Sequence, residues 1–320
     1  MTTAFTFPGQ GSQAVGMGRA LADAFPEARA VFDEVDDALG EKLSAIMWDG
    51  PAETLTLTEN AQPALMAVSL AATRVLSSRG VAIGREVAFV AGHSLGEYSA
   101  LAAAGTLSIA DAARLLRIRG HAMQEAVPVG VGAMAALIGL DLDTVNAVAA
   151  EAAGDEVCSA ANDNGGGQVV VSGDKAAVER AVEIAKARGA KRAVILPVSA
   201  PFHCALMAPA AEVMRTALAE VTLRPPVVPV IANVTAAPVS DVDTIRANLV
   251  DQVTAMVRWR EPIAWLAGAG VDTFVEVGSG KVLSGLARRI ADGAVTMTAG
   301  SPDDIEEVAA KLGASGVKNV

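Results

Sequence analysis

One serine in this chain stands in a setting typical of an enzymatic nucleophile. Ser94 lies between Gly92 and Gly96 in the sequence Gly-His-Ser-Leu-Gly, after the apolar run EVAFVAG and before the alanine-rich segment 95–104. A strand, a tight turn and a helix in that order form the G-x-S-x-G nucleophile turn, in which glycines permit close backbone contacts and the hydroxyl points outward. The N–H of Leu95, at the positive end of the helix, would face an oxyanion formed on a Ser94 acyl group. We predict Ser94 as a nucleophile; a glycine-bounded turn without chemistry is the alternative.

A serine nucleophile needs a base, and the chain has three histidines. His93 is adjacent to Ser94 on the bend, so its side chain should point elsewhere. His121 lies inside a predicted helix as a surface or packed residue. His203 stands where a strand-and-proline segment meets a new helix, a position from which a side chain can reach a distant serine. We predict His203 as the base; the alternative is a helix-start histidine bonded to the backbone.

No acidic partner for the histidine is evident. An α/β-hydrolase places its acid between serine and histidine in the chain, and the aspartates considered in that interval lie in a segment with its own pattern of strands and helices: Asp141, Asp143, Asp155, Asp163 and Asp174. We therefore predict a serine–histidine dyad in which a neutral carbonyl group orients His203.

The elements that position these residues alternate in the manner of an α/β protein. The apolar pattern predicts strands at AFTF near residue 5, EVAFVAG before residue 93 and DTFVEVG near residue 274. Predicted helices cover 17–25, 60–79, 95–104, 108–126, 204–220 and 281–290. Asn60 is the predicted N-cap of the second of these helices, with Pro63 in the first turn.

Residues 130 to 197 have a separate pattern of predicted strands and helices. Its segments read as strand, helix, strand, strand, helix, strand, the ferredoxin-like split unit. We predict that residues 1–128 and 198–320 together form a larger α/β unit. A ferredoxin-like (βαββαβ) subdomain, residues 129–197, is inserted into it.

Composition restricts the class of function. The chain has 320 residues, 52% of them hydrophobic, and a formal net charge of −11, which argues against a general nucleic-acid binder. Cys158 and Cys204 lack metal-ligand spacing and cannot form a disulfide framework, so we predict no metal site. The first residues show no signal peptide and no window reaches about 18 uninterrupted apolar residues. The expected location is the cytoplasm, without membrane contact.

Several separated motifs together resemble the malonyl-CoA:acyl carrier protein transacylases, a group that includes the acyltransferase domains of fatty-acid and polyketide synthases. The motifs, which span nearly the whole chain, are PGQGSQ (8–13), GHSLGEYSAL (92–101), RGHAMQEAVP (119–128), NDNGGGQVVVSG (162–173), HCALM (203–207), DQV with VRW (251–259) and EVGSGKVL (276–283). The resemblance implies that the larger unit is an α/β-hydrolase-like catalytic core with a parallel sheet, and it agrees with the inserted ferredoxin-like subdomain. It also implies malonyl transfer from coenzyme A, as substrate rather than cofactor, to the phosphopantetheine thiol of an acyl carrier protein.

The resemblance assigns roles to single residues. Ser94 would be the nucleophile and His203 its base, and Gln10 and Leu95 would supply the oxyanion-hole amides. The backbone carbonyl of Gln252 would hold the imidazole of the histidine.

The resemblance also assigns residues to the acyl pocket. Arg119 would pair with the free carboxylate of the malonyl group, although spacing alone leaves Arg114 and Arg117 equally eligible. Asn162 and Asn164 match an Asn-x-Asn segment near the acyl and thioester pocket.

Three positions depart from the common pattern of the family. Phe202 is serine in many stand-alone bacterial members, and phenylalanine there resembles malonyl-selective synthase domains, so it would alter pocket width. Met256 and Ser279 stand where proline is usual and should soften local turns without touching the chemistry.

Two cationic clusters are predicted to receive the acidic carrier protein, since an acidic enzyme must focus its approach locally. They are Lys191 with Arg192, and Lys281 with Arg288 and Arg289. Solvated surface residues without a docking role are the alternative.

Acyl transfer in fatty-acid biosynthesis is the predicted function. Transfer to a polyketide carrier is left open by the sequence. A serine hydrolase would use the same dyad with water as acceptor, and a catalytically idle carrier-binding scaffold is the third alternative. The missing acidic triad member and the arginine favour transfer over hydrolysis.

Overall fold

The computed structural model describes residues 2–313. Its strands are β1 (Thr3–Phe7), β2 (Val87–Gly92), β3 (Gly132–Ile138), β4 (Cys158–Asp163), β5 (Gln168–Asp174), β6 (Arg192–Ile195), β7 (Val230–Ile231), β8 (Pro238–Val239), β9 (Thr273–Val277) and β10 (Val295–Ala299). Its helices are α1 (Arg19–Ala24), α2 (Pro26–Leu39), α3 (Leu43–Asp49), α4 (Ala52–Thr56), α5 (Thr58–Ser78), α6 (Leu95–Ala103), α7 (Ile109–Ala126), α8 (Leu142–Ala153), α9 (Lys175–Ala187), α10 (Ala208–Ala219), α11 (Val242–Asp251), α12 (Arg260–Gly268), α13 (Val282–Ile290) and α14 (Pro302–Gly313).

The larger sheet has six strands in the order β10-β9-β1-β2-β7-β8, parallel except for β8 at the edge. All residues of β1 and β9 are buried, as expected for strands covered by helices on both faces. Phe7 and Gly92 are register partners at the carboxyl ends of β1 and β2. The loops that carry Gln10 and Ser94 therefore leave the sheet side by side, at the edge where parallel sheets place their ligand sites.

The smaller sheet has the order β4-β5-β3-β6, and every pair of neighbours is antiparallel. Strands β3 and β4 are thus parallel to each other with β5 between them, which is the split arrangement predicted for the βαββαβ order. Helices α8 and α9 pack on this sheet around a hydrophobic cluster of their own. The predicted α/β fold with two sheets is confirmed, while the boundaries at 129 and 197 stay a prediction.

Helix α7 packs against α5 at very short range. A Cβ on Gly120 would lie 2.6 Å from the backbone O of Thr58, so only glycine allows this approach. The contact brings Arg119 of α7 and Gln62 of α5 within hydrogen-bonding distance, 2.7 Å between the Arg119 Nη1 and the Gln62 Oε1.

The start of α5 differs from the prediction. The helix begins at Thr58 rather than after Asn60, and Pro63 lies inside it. The predicted N-cap was wrong because the Asn60 side chain is used elsewhere: its Nδ2 donates to the Thr54 carbonyl and its Oδ1 accepts from Arg117. Likewise, the segment predicted as one helix from 204 begins with a 3-10 turn over Ala205–Met207.

Among residues 2–313, no helix combines the length and the apolar character that crossing a membrane requires.

Candidate active site

Ser94 occupies a strained bend between β2 and α6. Its φ of 53° and ψ of −112° lie in a region of backbone conformation that residues other than glycine rarely adopt. Gly92 and Gly96 make the bend possible, because a Cβ on Gly92 would fall 1.9 Å from the Gly96 backbone and one on Gly96 would fall 2.2 Å from the Phe7 carbonyl O. Asn233 stabilises the bend with two hydrogen bonds: its Oδ1 accepts from the Ser94 N–H at 2.8 Å and its Nδ2 donates to the Gly92 carbonyl at 2.7 Å.

A cavity of about 500 Å³ opens above Ser94. The sequence-predicted residues that line it are Gln10, Ser94, Leu95, Arg119, Asn162, Phe202 and His203. The smaller sheet contributes Met134 of β3 and Leu196 after β6, so both sheets form its walls. A site between two sheets can enclose the reacting part of a substrate and exclude water.

His203 lies between the Ser94 hydroxyl and the Gln252 backbone carbonyl. The Nε2 lies 2.8 Å from the Ser94 Oγ, and the Nδ1 lies 2.9 Å from the backbone carbonyl O of Gln252. Because a carbonyl oxygen can only accept a hydrogen bond, Nδ1 must carry the proton. The lone pair of Nε2 is then free to accept a hydrogen bond from the Ser94 hydroxyl. Burial, reinforced by the charge of Arg119, lowers the pKa of His203 to about 3, so the imidazole is neutral at pH 7.

Arg119 is a buried cation beside Ser94, with 1% of its surface exposed. Its Nη2 donates to the Ser94 Oγ at 3.1 Å and to the Gln252 Oε1 at 2.8 Å. The guanidinium also lies 5.7 Å from the centre of the Tyr98 ring. Its hydrogen-bond partners within residues 2–313 include no carboxylate. A buried cation bonded only to neutral groups is suited to receive an anion.

The predicted oxyanion-hole residues flank the serine. Leu95 is the first residue of α6, so its N–H belongs to the helix turn whose amides have no partner within the helix. Gln10 lines the same cavity from the neighbouring loop, and its side-chain Oε1 accepts from the Thr58 Oγ1 at 2.8 Å. That contact holds the loop that carries the Gln10 backbone amide.

The two predicted asparagines border a second cavity of about 250 Å³ next to the main one. Asn162 lines both cavities, whereas Asn164 lines only the second. The Asn164 Oδ1 is 2.9 Å from the Nε2 of His93. His93 is therefore bonded away from Ser94, although its ring borders the cavity.

The other cationic and histidine candidates lie outside the cavity. Arg114 bonds to Asp111 and to the Ala38 carbonyl. Arg117 pairs with Asn60 and Glu41. His121 is exposed and faces two glutamates. Of the three arginines on this part of α7, the structure brings Arg119 to Ser94.

Three site residues were not predicted from the sequence: Gln62, Glu97 and Asn233. Glu97 is buried, and its Oε2 accepts from the Gln252 Nε2 at 2.7 Å and from the Asn233 N–H at 3.1 Å. Burial raises the pKa of Glu97 to about 7, an effect that these hydrogen bonds and the charge of Arg119 oppose. Two of these residues stand out in the sequence as polar residues in apolar surroundings. Glu97 lies in the alanine-rich start of α6, and Gln62 lies beside Pro63 in the apolar helix α5.

Comparison with known proteins agrees with this geometry. Residues 4–289 match the model of the acyl transferase domain. The malonyl CoA-acyl carrier protein transacylase of Escherichia coli K12 is 48% identical over 309 residues, which cover 97% of this chain and 98% of that protein. The chain belongs to this family of transacylases.

Solved structures of family members have the same fold. The acyl-carrier-protein S-malonyltransferase of Bartonella henselae superposes with a TM-score of 0.96 at 59% identity, covering 98% of this chain and 100% of that one. A malonyl-transacylase solved in complex with the holo acyl-carrier protein of a type II polyketide synthase superposes with a TM-score of 0.94 at 42% identity, covering 97% and 100%. The predicted family membership is confirmed.

Proposed function

We propose that this protein is the malonyl-CoA:acyl carrier protein transacylase of fatty-acid synthesis and that it acts through a malonyl ester on Ser94. The observation that carries the mechanism is the pair of contacts at the Ser94 Oγ, 2.8 Å to the His203 Nε2 and 3.1 Å to the Arg119 Nη2. One contact supplies a base for the hydroxyl. The other brings a cation to the point where the acyl group is attached.

In the first half-reaction, the Ser94 Oγ attacks the thioester carbonyl of malonyl-CoA while its proton passes to the His203 Nε2. The backbone N–H groups of Leu95 and Gln10 stabilise the tetrahedral oxyanion. The carbon–sulfur bond then breaks, the proton on Nε2 passes to the leaving thiolate, and coenzyme A departs as a thiol. The product is the malonyl ester of Ser94.

The second half-reaction reverses these steps with the phosphopantetheine thiol of the carrier. His203 takes the thiol proton, the thiolate attacks the ester carbonyl, and the Ser94 Oγ leaves with the proton. In both directions the substrate carboxylate strengthens the base, because its pairing with Arg119 offsets a charge that lowers the pKa of His203. An anionic acyl group thus assists its own transfer.

Intact-mass measurement tests the proposal. Incubation with malonyl-CoA should add one malonyl mass to the protein, and subsequent addition of holo carrier protein should remove it and load the carrier. An ester that hydrolyses at the same rate with and without carrier would indicate a serine hydrolase instead. Absence of any added mass would indicate a binding scaffold.

Arg119→Ala should reduce malonyl transfer by about 10²- to 10³-fold and improve acetyl transfer relative to it, because a buried carboxylate would lose its paired donors. Acetyl lacks that carboxylate and leaves the native arginine unmatched. Arg119→Lys should recover only part of the preference, since an ammonium cannot make two parallel bonds. The measurement is the rate of ester formation from malonyl-CoA and from acetyl-CoA.

Arg117→Ala is the matched control for this prediction, because Arg117 lies on the same helix but bonds to Asn60 and Glu41 outside the cavity. It should keep the native malonyl-to-acetyl ratio. If Arg119→Ala also keeps that ratio, Arg119 is structural and another group recognises the carboxylate.

Phe202, which borders the cavity, should in addition disfavour a branched methylmalonyl group.

The two predicted cationic clusters lie on either side of one glycine loop. A Cβ on Gly166 would lie 3.2 Å from the Arg289 Cδ. Gly167 accepts a hydrogen bond from Gly139, and a Cβ on Gly139 would lie 2.7 Å from the Lys191 Cγ. Lys191 and Arg289 are both exposed. We therefore treat the two clusters as one candidate docking surface for the acidic carrier.

Charge reversal tests this surface. Lys191→Glu and Arg289→Glu should each raise the apparent KM for holo carrier protein by about 3- to 10-fold, with a smaller effect at high salt. The KM for malonyl-CoA should change little. Arg215→Glu on α10 makes the same charge change outside both clusters and should leave carrier kinetics as they are. If neither cluster variant affects the carrier, docking occurs elsewhere.

A cytoplasmic location forms part of the proposal. It is supported by the two free cysteines, Cys158 and Cys204, which are typical of a reducing compartment.

A further inference from the structure

The buried Glu97 carboxyl group accepts hydrogen bonds from two residues that also contact the Ser94 backbone. The Oε2 of Glu97 accepts two hydrogen bonds, from the Gln252 Nε2 at 2.7 Å and from the Asn233 N–H at 3.1 Å. Glu97 does not line the cavity above Ser94, so its carboxylate is not placed to touch substrate. Each of its two partners contacts a group that is.

The side-chain amide of Gln252 can satisfy its neighbours in only one orientation. Its Nε2 faces two acceptors, the Glu97 Oε2 and the Ser94 carbonyl at 3.1 Å, and its Oε1 faces the Arg119 donor at 2.8 Å. A rotation that exchanged the two ends would place N–H against N–H at Arg119, and oxygen against oxygen at the Ser94 carbonyl and at the ionised Glu97 carboxylate. The carboxylate therefore favours the orientation in which Gln252 holds the guanidinium.

We propose that Glu97 is a positioning residue that sets the preference for carboxylated acyl groups by fixing the Gln252 amide, which in turn fixes Arg119. The inference rests on the proposed malonyl transfer. Without the Glu97 acceptor, the Gln252 amide keeps only the Ser94 carbonyl as acceptor, and the Nη2 of Arg119 loses a rigidly held partner. A guanidinium free to turn recognises a carboxylate less well, since bidentate pairing requires a fixed fork.

Two substitutions at this position separate a positioning role from a general structural one. Glu97→Gln keeps an oxygen that can accept both hydrogen bonds, whereas Glu97→Leu keeps the approximate size and removes them. Ester formation on Ser94 is measured by intact mass with malonyl-CoA and with acetyl-CoA. We expect Glu97→Leu to lower the malonyl-to-acetyl rate ratio by about 10-fold or more, and Glu97→Gln to keep it within about threefold of the native value.

A control variant tests whether loss of any buried carboxylate has this effect. Glu276 is buried at the end of β9, accepts from the Ser284 N–H and does not line the cavity. Glu276→Leu should leave the ratio unchanged, whatever it does to thermal stability. A fall in the ratio for this variant would overturn the assignment of the effect to Glu97.

Other outcomes also decide the question. Two results would overturn the proposal. One is an equal loss of the malonyl and acetyl rates in Glu97→Leu. The other is a fall of the malonyl-to-acetyl ratio in Glu97→Gln as large as that in Glu97→Leu. If Glu97→Leu does not fold, Gln252→Met tests the same relay, because it keeps the backbone carbonyl for His203 but removes the amide; an unchanged ratio there overturns it. A native protein that takes up no malonyl mass would instead disprove the proposed function.

Discussion

Ser94→Ala should abolish ester formation entirely while leaving the fold intact. Alanine keeps the Cβ and removes only the Oγ, so the strain at φ 53° is the same as in the native protein. Without the Oγ there is no atom to hold the acyl group, and direct attack by one thiol on another thioester would need both large substrates in one cavity. Intact mass after incubation with malonyl-CoA measures the result.

Ser99→Ala is a matched control for this experiment. Ser99 is a buried serine of α6, the helix that follows Ser94, and its hydroxyl has no hydrogen-bond partner among the described residues. That variant should gain one malonyl mass at the native rate. A malonyl mass on Ser94→Ala, mapped to another residue, would reassign the nucleophile.

His203→Ala should slow both half-reactions by about 10²- to 10⁴-fold, the usual scale for loss of a general base. In the proposed mechanism the same imidazole takes the proton from Ser94 and returns it to the departing thiol, so neither half-reaction should be spared. Rapid-mixing measurement of ester formation and of ester transfer to carrier, made separately, checks this. An effect on one half-reaction alone would contradict a shared base.

The backbone at His203 suggests a second variant. Its φ of 59° lies in the left-handed region, which asparagine tolerates better than alanine does. His203→Asn should therefore lose rate with less risk of local rearrangement. His121→Ala, on the surface of α7, should keep the native rate. If the His203 variants keep it too, His93 becomes the next candidate for the base.

Local patterns in the sequence were sufficient to predict several elements of the fold and the nucleophile turn. Gly92, Ser94 and Gly96 are close in the chain, and the conformation they need follows from steric limits on neighbouring residues. The βαββαβ order was likewise readable, because each element has its own apolar period. The site roles of Arg119, Gln252 and Asn162 came from the family resemblance, since spacing alone did not distinguish Arg119 from its neighbours on α7.

The rest depends on contacts between distant parts of the chain. Glu97 meets Gln252 across 155 positions, and Asn233 reaches the Ser94 bend across 139. No local periodicity records such pairs, because they arise only when α6, β7 and α11 are packed together. The same reason accounts for the incorrect N-cap at Asn60, whose side chain is taken by tertiary contacts.

The turn at Ser279 shows how a departure from the family pattern is accommodated. Where proline is usual, the Ser279 Oγ donates to the Ser12 carbonyl at 2.7 Å. This turn is thus stabilised by a hydrogen bond between two loops, whereas a proline at the same position would restrict it by fixing φ.

Gln252 serves the site twice, through different parts of one residue. His203 depends on its main-chain carbonyl, which every amino acid carries, whereas Arg119 depends on its side-chain amide. A mutation at this codon can therefore alter the acyl pocket and still leave the imidazole oriented. Under the proposed roles, substitution at this one position gives descendants of the enzyme a route to another acyl preference that leaves the orientation of the base intact.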